Sequence, residues 1–256
     1  MSVDLSVNLN KIALIRNSRE GNYPSVEDFG RLCLDEGVEG LTVHPRPDQR
    51  HIRASDIPVL GRLVADYPGR EFNIEGNPFA EALGSYPGFI QLVKNSRPHQ
   101  CTLVPDTTAQ LTSDHGFDLR ADGERLKPVI EELKQLGIRV SLFMDPEPEQ
   151  IELAAKCGAD RVELYTGPYA ESFRLQRPDL DALFARFADA AALAKSLGLG
   201  VNAGHDLNLA NLPRFAAIPE LQEVSIGHAL TVDALHMGMV PAVRAYRAIC
   251  QQRGKA

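Results

Sequence analysis

The sequence has no apolar run of about 18 residues, no CxxC pair, no HxH pair and no GxGxxG, and basic residues are not in excess. Each absence removes a class of function. With no apolar run of spanning length there is no candidate membrane helix. The N-terminus, MSVDLSVNLNK, carries an early Asp and no stretch of signal-peptide length, so export is not expected. The four cysteines, Cys33, Cys101, Cys157 and Cys250, are scattered and read as reduced core thiols of a cytoplasmic protein. A formal charge of −7 argues against a broad nucleic-acid footprint, which needs a surplus of Lys and Arg on one face; any anion site must be local. There is no compositionally biased tract, and 44% hydrophobic with 24% charged residues is ordinary for a globular chain. One domain, spanning residues 1–256, is expected.

What is present is alternation. Short β-branched runs exchange with longer amphipathic stretches from end to end, the pattern of parallel strands joined by crossover helices. Strands are predicted at Leu5–Asn10, Gly40–His44, Glu71–Glu75, Gln100–Val104, Arg139–Asp145, Arg161–Tyr165, Gly200–Ala203 and Glu223–Ile226. Eight strands at this chain length imply a closed (β/α)8 TIM barrel. An open doubly wound sheet would need only six, and its Gly-rich phosphate turn is missing. The clearest helix is Glu124–Leu136, with Leu126, Val129, Ile130 and Leu133 at i, i+3, i+4, i+7 spacing and Gly137 as its stop. Val26–Glu36 ended by Gly37, and Leu180–Leu197 ended by Gly198, follow the same rule. A polar connection from Pro105 to Gly123 is long for a β-to-α turn and reads as an active-site lid.

In such barrels the active face is built from the C-terminal ends of the strands. Those ends are polar here: Asn8, Asn10 and Lys11 after strand one, His44 and Arg46 after strand two, and Glu75 on strand three. Glu163 and Thr166 belong to strand six, Asn202 and His205 to strand seven, and Ser225 and His228 to strand eight. A lone strand-end His can be a structural group and a lone Glu a helix cap. Three imidazoles and two carboxylates on one rim are instead the parts for repeated proton transfer near neutral pH.

A zinc or binuclear site is weighed and set aside, since no strand supplies an HxH pair and no lysine stands where a bridging ligand is needed. Lys11 admits a Schiff-base role, though its place just past strand one favours a charge contact to phosphate or carboxylate. SIGHALTVDAL passes through Gly227 to a helix start at Thr231, whose N–H groups suit phosphate. This short extra helix is expected to be separated at Pro241 from a final one, Ala242–Gln251. Arg46, Arg50 and His51 could clamp a second phosphate; Arg16 reads as ordinary surface charge, with Arg19 near it.

The segments SVNLNKIALIRNSR, GLTVHPRPDQRHI, FNIEGNP, TLVPD, VSLFMD, VELYTGPYA, VNAGHDLN and SIGHAL together resemble the pyridoxine 5′-phosphate synthase family of vitamin B6 biosynthesis, from about Leu5 to Ile249. The resemblance implies a transferase-type synthase. It would condense 3-amino-2-oxopropyl phosphate with 1-deoxy-D-xylulose 5-phosphate, giving pyridoxine 5′-phosphate, phosphate and water by acid/base catalysis, with no metal or cofactor. It further implies a homo-octamer, a loop after strand four that closes over substrate, and partners limited to two phosphorylated small molecules. By the same resemblance His44 and Glu75 accept protons and His205 donates one. Asn8 holds the aminoketone. Asn10, Lys11, Arg46, His51 and Thr112 contact the deoxyxylulose phosphate; Arg19, Asp206, Gly227 and His228 complete the aminoketone phosphate pocket; Glu163 orients.

Two places depart from the common family pattern. NLNK stands where many members read NIDH, and Asp206 stands where many have Gly after the His of NAGH. A fixed positive charge at Lys11 favours a phosphate or oxyanion, and Asp206 is expected to contribute its backbone N–H, since its carboxylate would repel phosphate. The alternatives are a sugar-phosphate lyase or aldolase of the same fold acting through Lys11, and a non-catalytic barrel that binds phosphorylated metabolites.

Overall fold

The computed structural model describes residues 2–252. Eight strands, β1 (Asp4–Asn8), β2 (Gly40–Val43), β3 (Glu71–Gly76), β4 (Gln100–Leu103), β5 (Arg139–Met144), β6 (Arg161–Tyr165), β7 (Gly200–Gly204) and β8 (Leu221–Ile226), close into one parallel barrel. Each strand pairs with the next, and β8 returns to β1 through Leu5 beside Val224 and Val7 beside Ile226. The outer layer comprises α1 (Asn10–Asn17), α2 (Val26–Asp35), α3 (Asp56–Ala65), α4 (Phe89–Ser96), α5 (Leu119–Gln135) and α6 (Pro148–Lys156). It continues with α7 (Gly167–Arg174), α8 (Leu180–Ser196), α9 (Leu212–Phe215), α10 (His228–Met237) and α11 (Met239–Gln251). The predicted strands are all found, with no end shifted by more than two residues.

Side chains along a strand alternate between two faces, and here the two faces differ sharply. Leu5 and Val7, Leu41 and Val43, Phe72 and Ile74, and Val162 and Leu164 face the helices and are buried. The alternate positions point into the barrel and are mostly polar, Phe143 being an exception. Ser6 bonds Thr42 hydroxyl to hydroxyl at 2.7 Å, Asn73 reaches Thr42 and Thr102, and Arg161 donates to Asn202 and Glu223 at 2.8 and 3.0 Å. Barrel interiors are more often filled by branched apolar layers. Here the apolar core lies between strands and helices, and a hydrogen-bonded polar column runs through the middle.

Helix stops follow the sequence reading: Gly37, Gly137 and Gly198 take positive φ of 83°, 79° and 84° just past α2, α5 and α8. Helix starts differ. α5 begins at Leu119, five residues before the predicted Glu124, because the Asp118 side chain accepts the Arg120 N–H and Gly123 is tolerated inside the helix, close against Cys157. α10 begins at His228 and not Thr231, and the break before α11 falls at Gly238 (φ 90°). Pro241 sits within the first turn of α11, where its missing N–H costs nothing. Asn10 is likewise not in a strand: β1 ends at Asn8, and Asn10 and Lys11 form the first turn of α1.

Arg16 is the largest departure from expectation. It is 1% exposed, not a surface charge. Its guanidinium grips the Asp56 carboxylate with both terminal nitrogens, at 2.6 and 2.9 Å, and donates to the His51 carbonyl at 3.0 Å. Asn17 adds a bond to the same carbonyl at 2.7 Å. The end of α1 is thereby tied to the start of α3 and to the loop carrying His51. Removing one partner of a buried pair strands the other charge, a loss of about 3–5 kcal/mol. Arg16→Ala is therefore expected to lower unfolding stability by about 3 kcal/mol in urea titration, and a loss too small to resolve would contradict the bridge.

Candidate active site

A cavity of about 350 Å³ opens at the C-terminal mouth of the barrel. Asn8, Asn10 and Lys11 line it from β1 and α1, His44, Arg46 and His51 from the loop after β2, and Glu75 from β3. Thr112 comes from the loop after β4 and Glu163 from β6, while His205 and Asp206 follow β7 and Gly227 and His228 follow β8. Of the residues to which the family resemblance assigns a role, Arg19 alone stands outside, exposed beyond the end of α1.

Asparagines organise the first corner. Asn8 Oδ1 accepts the Asn10 N–H at 3.0 Å, the first N–H of α1, and its Nδ2 donates to Glu75 at 3.4 Å. Asn10 Oδ1 accepts the His44 N–H at 2.9 Å, so its first role is to hold the end of β2 in place. His44 then stands between two acids, with Nδ1 3.9 Å from Glu75 and Nε2 3.5 Å from Asp106.

Asp106 is a site residue that the strand-end pattern does not single out. It sits three residues beyond β4, 4% exposed, bridging His44, the Arg46 guanidinium and the Ser113 hydroxyl. Burial alone would raise its carboxyl, but His44, Arg46 and Ser113 together hold it at about 2. It is a fixed negative charge beneath the loop. Its one signal in the sequence is the acid of TLVPD just past a strand end. Arg46 and Arg50 also donate to loop carbonyls, Arg46 to Gln110 at 2.7 Å and Arg50 to Gln110 and Thr108 at 2.8 and 2.6 Å. Arg50 is engaged in fastening the loop and does not line the cavity.

Three carboxyls share the polar interior. Burial drives Glu75 well above the ordinary carboxylate range, and neighbouring Glu163 adds to this, against a hydrogen bond from Ser225 at 3.3 Å. Glu163 is raised by burial and then by Glu223, with Thr102 donating to it at 3.4 Å. Its carboxylate fits because β7 has a glycine opposite: a Cβ on Gly204 would collide with Glu163 Oε1. Glu223 is pushed up to about 7 by burial, with Arg161 and Arg139 opposing.

His51 is the converse case. Burial, then the positive potential of His44, Arg46, Lys11 and Arg50, lowers it to about 3. It is neutral at working pH. Its Nδ1 accepts the Ile52 N–H at 2.9 Å, which leaves Nε2 as a proton-bearing donor. Across the mouth, His205 Nε2 lies 3.0 Å from Thr112 Oγ1, which brings the loop after β4 over the cavity, and His205 Nδ1 lies 2.9 Å from the Asp206 carboxylate. Just past the last strand Gly227 passes close to Asn8, and α10 opens at His228 without an acidic first turn, leaving backbone N–H groups available to an anion. Among the described residues no cluster of three or more His, Cys, Asp or Glu is disposed to hold a metal ion.

The match to known proteins covers the whole of this architecture. The model of the family described as "Pyridoxal phosphate biosynthesis protein PdxJ" matches residues 5–252. The chain belongs to that family. A pyridoxine 5′-phosphate synthase of Xanthomonas campestris pv. campestris is 56% identical over 252 residues, covering 97% of this chain and 96% of that one. The synthase of Xylella fastidiosa is 54% identical over 243 residues, covering 94% and 92%. Among solved structures, 3-hexulose-6-phosphate synthase of Salmonella typhimurium superposes with a TM-score of 0.64 over 98% of both chains at 17% identity, a likeness of fold alone. The PdxJ family membership thus agrees with the barrel and with the resemblance carried by the motifs.

The buried acids make stability depend on pH in a defined sense. Glu223 binds its proton more tightly folded than unfolded, so its contribution is complete below the unfolded value near 4.5 and is lost as pH rises through about 7. Glu223→Gln cannot titrate. Its stability relative to the parent should rise by about 3 kcal/mol between pH 4.5 and pH 8 in urea unfolding; an offset independent of pH would contradict the assignment.

Proposed function

We propose that this member of the PdxJ family is a pyridoxine 5′-phosphate synthase that condenses 3-amino-2-oxopropyl phosphate with 1-deoxy-D-xylulose 5-phosphate, releasing phosphate and water. The observation that carries the reading is 56% identity over nearly the full length of a relative bearing that name. Its support in the site is a polar cavity flanked by two anion-compatible corners, Lys11 and Arg46 on one side and the start of α10 on the other.

Joining an amine to a ketone, expelling phosphate, adding water and closing a ring by an aldol-type step requires acids and bases on several sides of one intermediate. Glu75 serves as a base whose proton affinity has been raised by burial, so it holds a proton taken from carbon or water more tightly than an ordinary carboxylate does. His44, set between Glu75 and Asp106, exchanges protons with the substrate side of Glu75. His205 donates to the leaving oxygen, and neutral His51 donates a hydrogen bond that does not vary with pH in the working range. The loop after β4, fastened by Arg46 and Arg50, keeps water from imine intermediates that hydrolyse readily.

The proposed setting is the cytoplasm, and four buried free thiols fit it. Among the described residues no helix is long and apolar enough to cross a membrane. We also propose self-association: Leu14 and Ile15 on α1 and Leu235 and Met237 on α10 are large apolar side chains, 43–76% exposed, on neighbouring helices.

The direct test supplies both substrates and measures pyridoxine 5′-phosphate and released phosphate. Turnover is expected, and none would overturn the reading. Glu75→Gln and His205→Ala should each lower kcat by about 10² or more with the fold intact by circular dichroism; parental rates would remove these residues from the chemistry. Arg46→Ala should chiefly raise KM for the pentulose phosphate, and an unchanged KM would count against an anion contact there.

A further inference from the structure

Nδ1 of His205 meets the carboxylate of the next residue, Asp206, at 2.9 Å. A carboxylate only accepts hydrogen bonds, so this contact places a proton on Nδ1. The other ring nitrogen, Nε2, is turned to the cavity, where Thr112 Oγ1 caps it at 3.0 Å.

The rest of the surroundings hold this arrangement. Thr166 Oγ1 donates to the Gly204 carbonyl at 2.7 Å and to the His205 carbonyl, and Asn211 Nδ2 donates to the Asp206 carbonyl at 3.2 Å. The Tyr165 ring meets the imidazole edge-on, centroids 5.2 Å apart. Both residues take positive φ, 85° at His205 and 59° at Asp206, which turns the two side chains toward each other within one peptide. The His205 contact holds the Asp206 carboxyl below its usual range, with His228 and Lys11 assisting, so it is ionised at neutral pH.

We propose that Asp206 is a positioning residue for the acid step. Its carboxylate locks His205 in the Nδ1–H tautomer, aims Nε2 at the reacting centre and stabilises the imidazolium that donates from Nε2. This reading rests on His205 being the proton donor of the proposed synthase. It assigns the side chain a task separate from any contact its backbone N–H makes to phosphate. A carboxylate paired this way serves as orienter and counter-charge, as in the Asp of a Ser-His-Asp site.

The φ of 59° supplies a clean test, because Gly and Asn both accept that backbone conformation. Asp206→Gly and Asp206→Asn, in the full-length protein, are to be compared with the parent by steady-state kinetics and by 15N NMR of histidine-labelled protein, the His205 signals being assigned by difference with His205→Asn. The parent should show one protonated and one unprotonated nitrogen in neutral His205, with the proton on Nδ1. Both variants should lose that fixed pattern, and kcat should fall by about 10- to 100-fold with KM for the aminoketone phosphate changed less than about threefold. A tautomer unaffected by either variant, or an effect confined to KM, overturns the proposal. Absence of turnover in the parent would instead defeat the functional reading, while the NMR comparison would still decide the pairing.

Discussion

The site depends above all on one constraint, a carboxylate kept dry inside a closed barrel. Closing eight parallel strands puts every second side chain into an interior with little access to water, and on β3 that position is Glu75. Such a group prefers its neutral form, the more so with a second buried acid beside it. Glu163 is that second acid, admitted by the missing side chain of Gly204. The pair behaves as a unit with raised proton affinity, the property that the base proposed at Glu75 requires.

The remaining groups answer that acid. Asn8 and Ser225 donate to it weakly, at 3.4 and 3.3 Å, and His44 stands within ion-pair distance. On its far side His44 meets Asp106, which also takes Arg46 and the Ser113 hydroxyl of the covering loop. Asp106 therefore joins the proposed proton-transfer pair, the proposed anion contact and the covering loop in one buried network. At the opposite wall, His205 has its own carboxylate, Asp206, and its own contact with the loop through Thr112. The loop touches both corners proposed for proton transfer.

Much of this is legible in the amino-acid sequence. Alternation and helix-ending glycines locate every strand and the stops of α2, α5 and α8, because those signals are local. The residues at strand ends, His44, Glu75 and His205, stand out by their place in the topology. What escapes depends on long-range partners. Arg16 has the look of surface charge until Asp56, 40 residues away, closes on it. Asp106 is an acid in a polar loop by sequence and a buried hub in space. Asn10 reads as a strand residue, but the side chain of Asn8 starts a helix there. Asp206 is expected to act through its backbone, and only the paired left-handed conformations bring its carboxylate onto His205. The polar barrel interior is equally hidden, since alternation of polar and apolar residues is also what a strand with one solvated face displays.

The central claim is that Glu75 is a base raised by burial. Its most direct test is a carboxyl 13C NMR titration of glutamate-labelled protein, with Glu75 assigned by difference against Glu75→Gln. A midpoint well above the ordinary 4.5 is expected, moving downward when Glu163 is replaced by Gln, since the like-charge contribution is then removed. A Glu75 carboxyl that titrates at or below 4.5, whatever stands at position 163, would contradict the account.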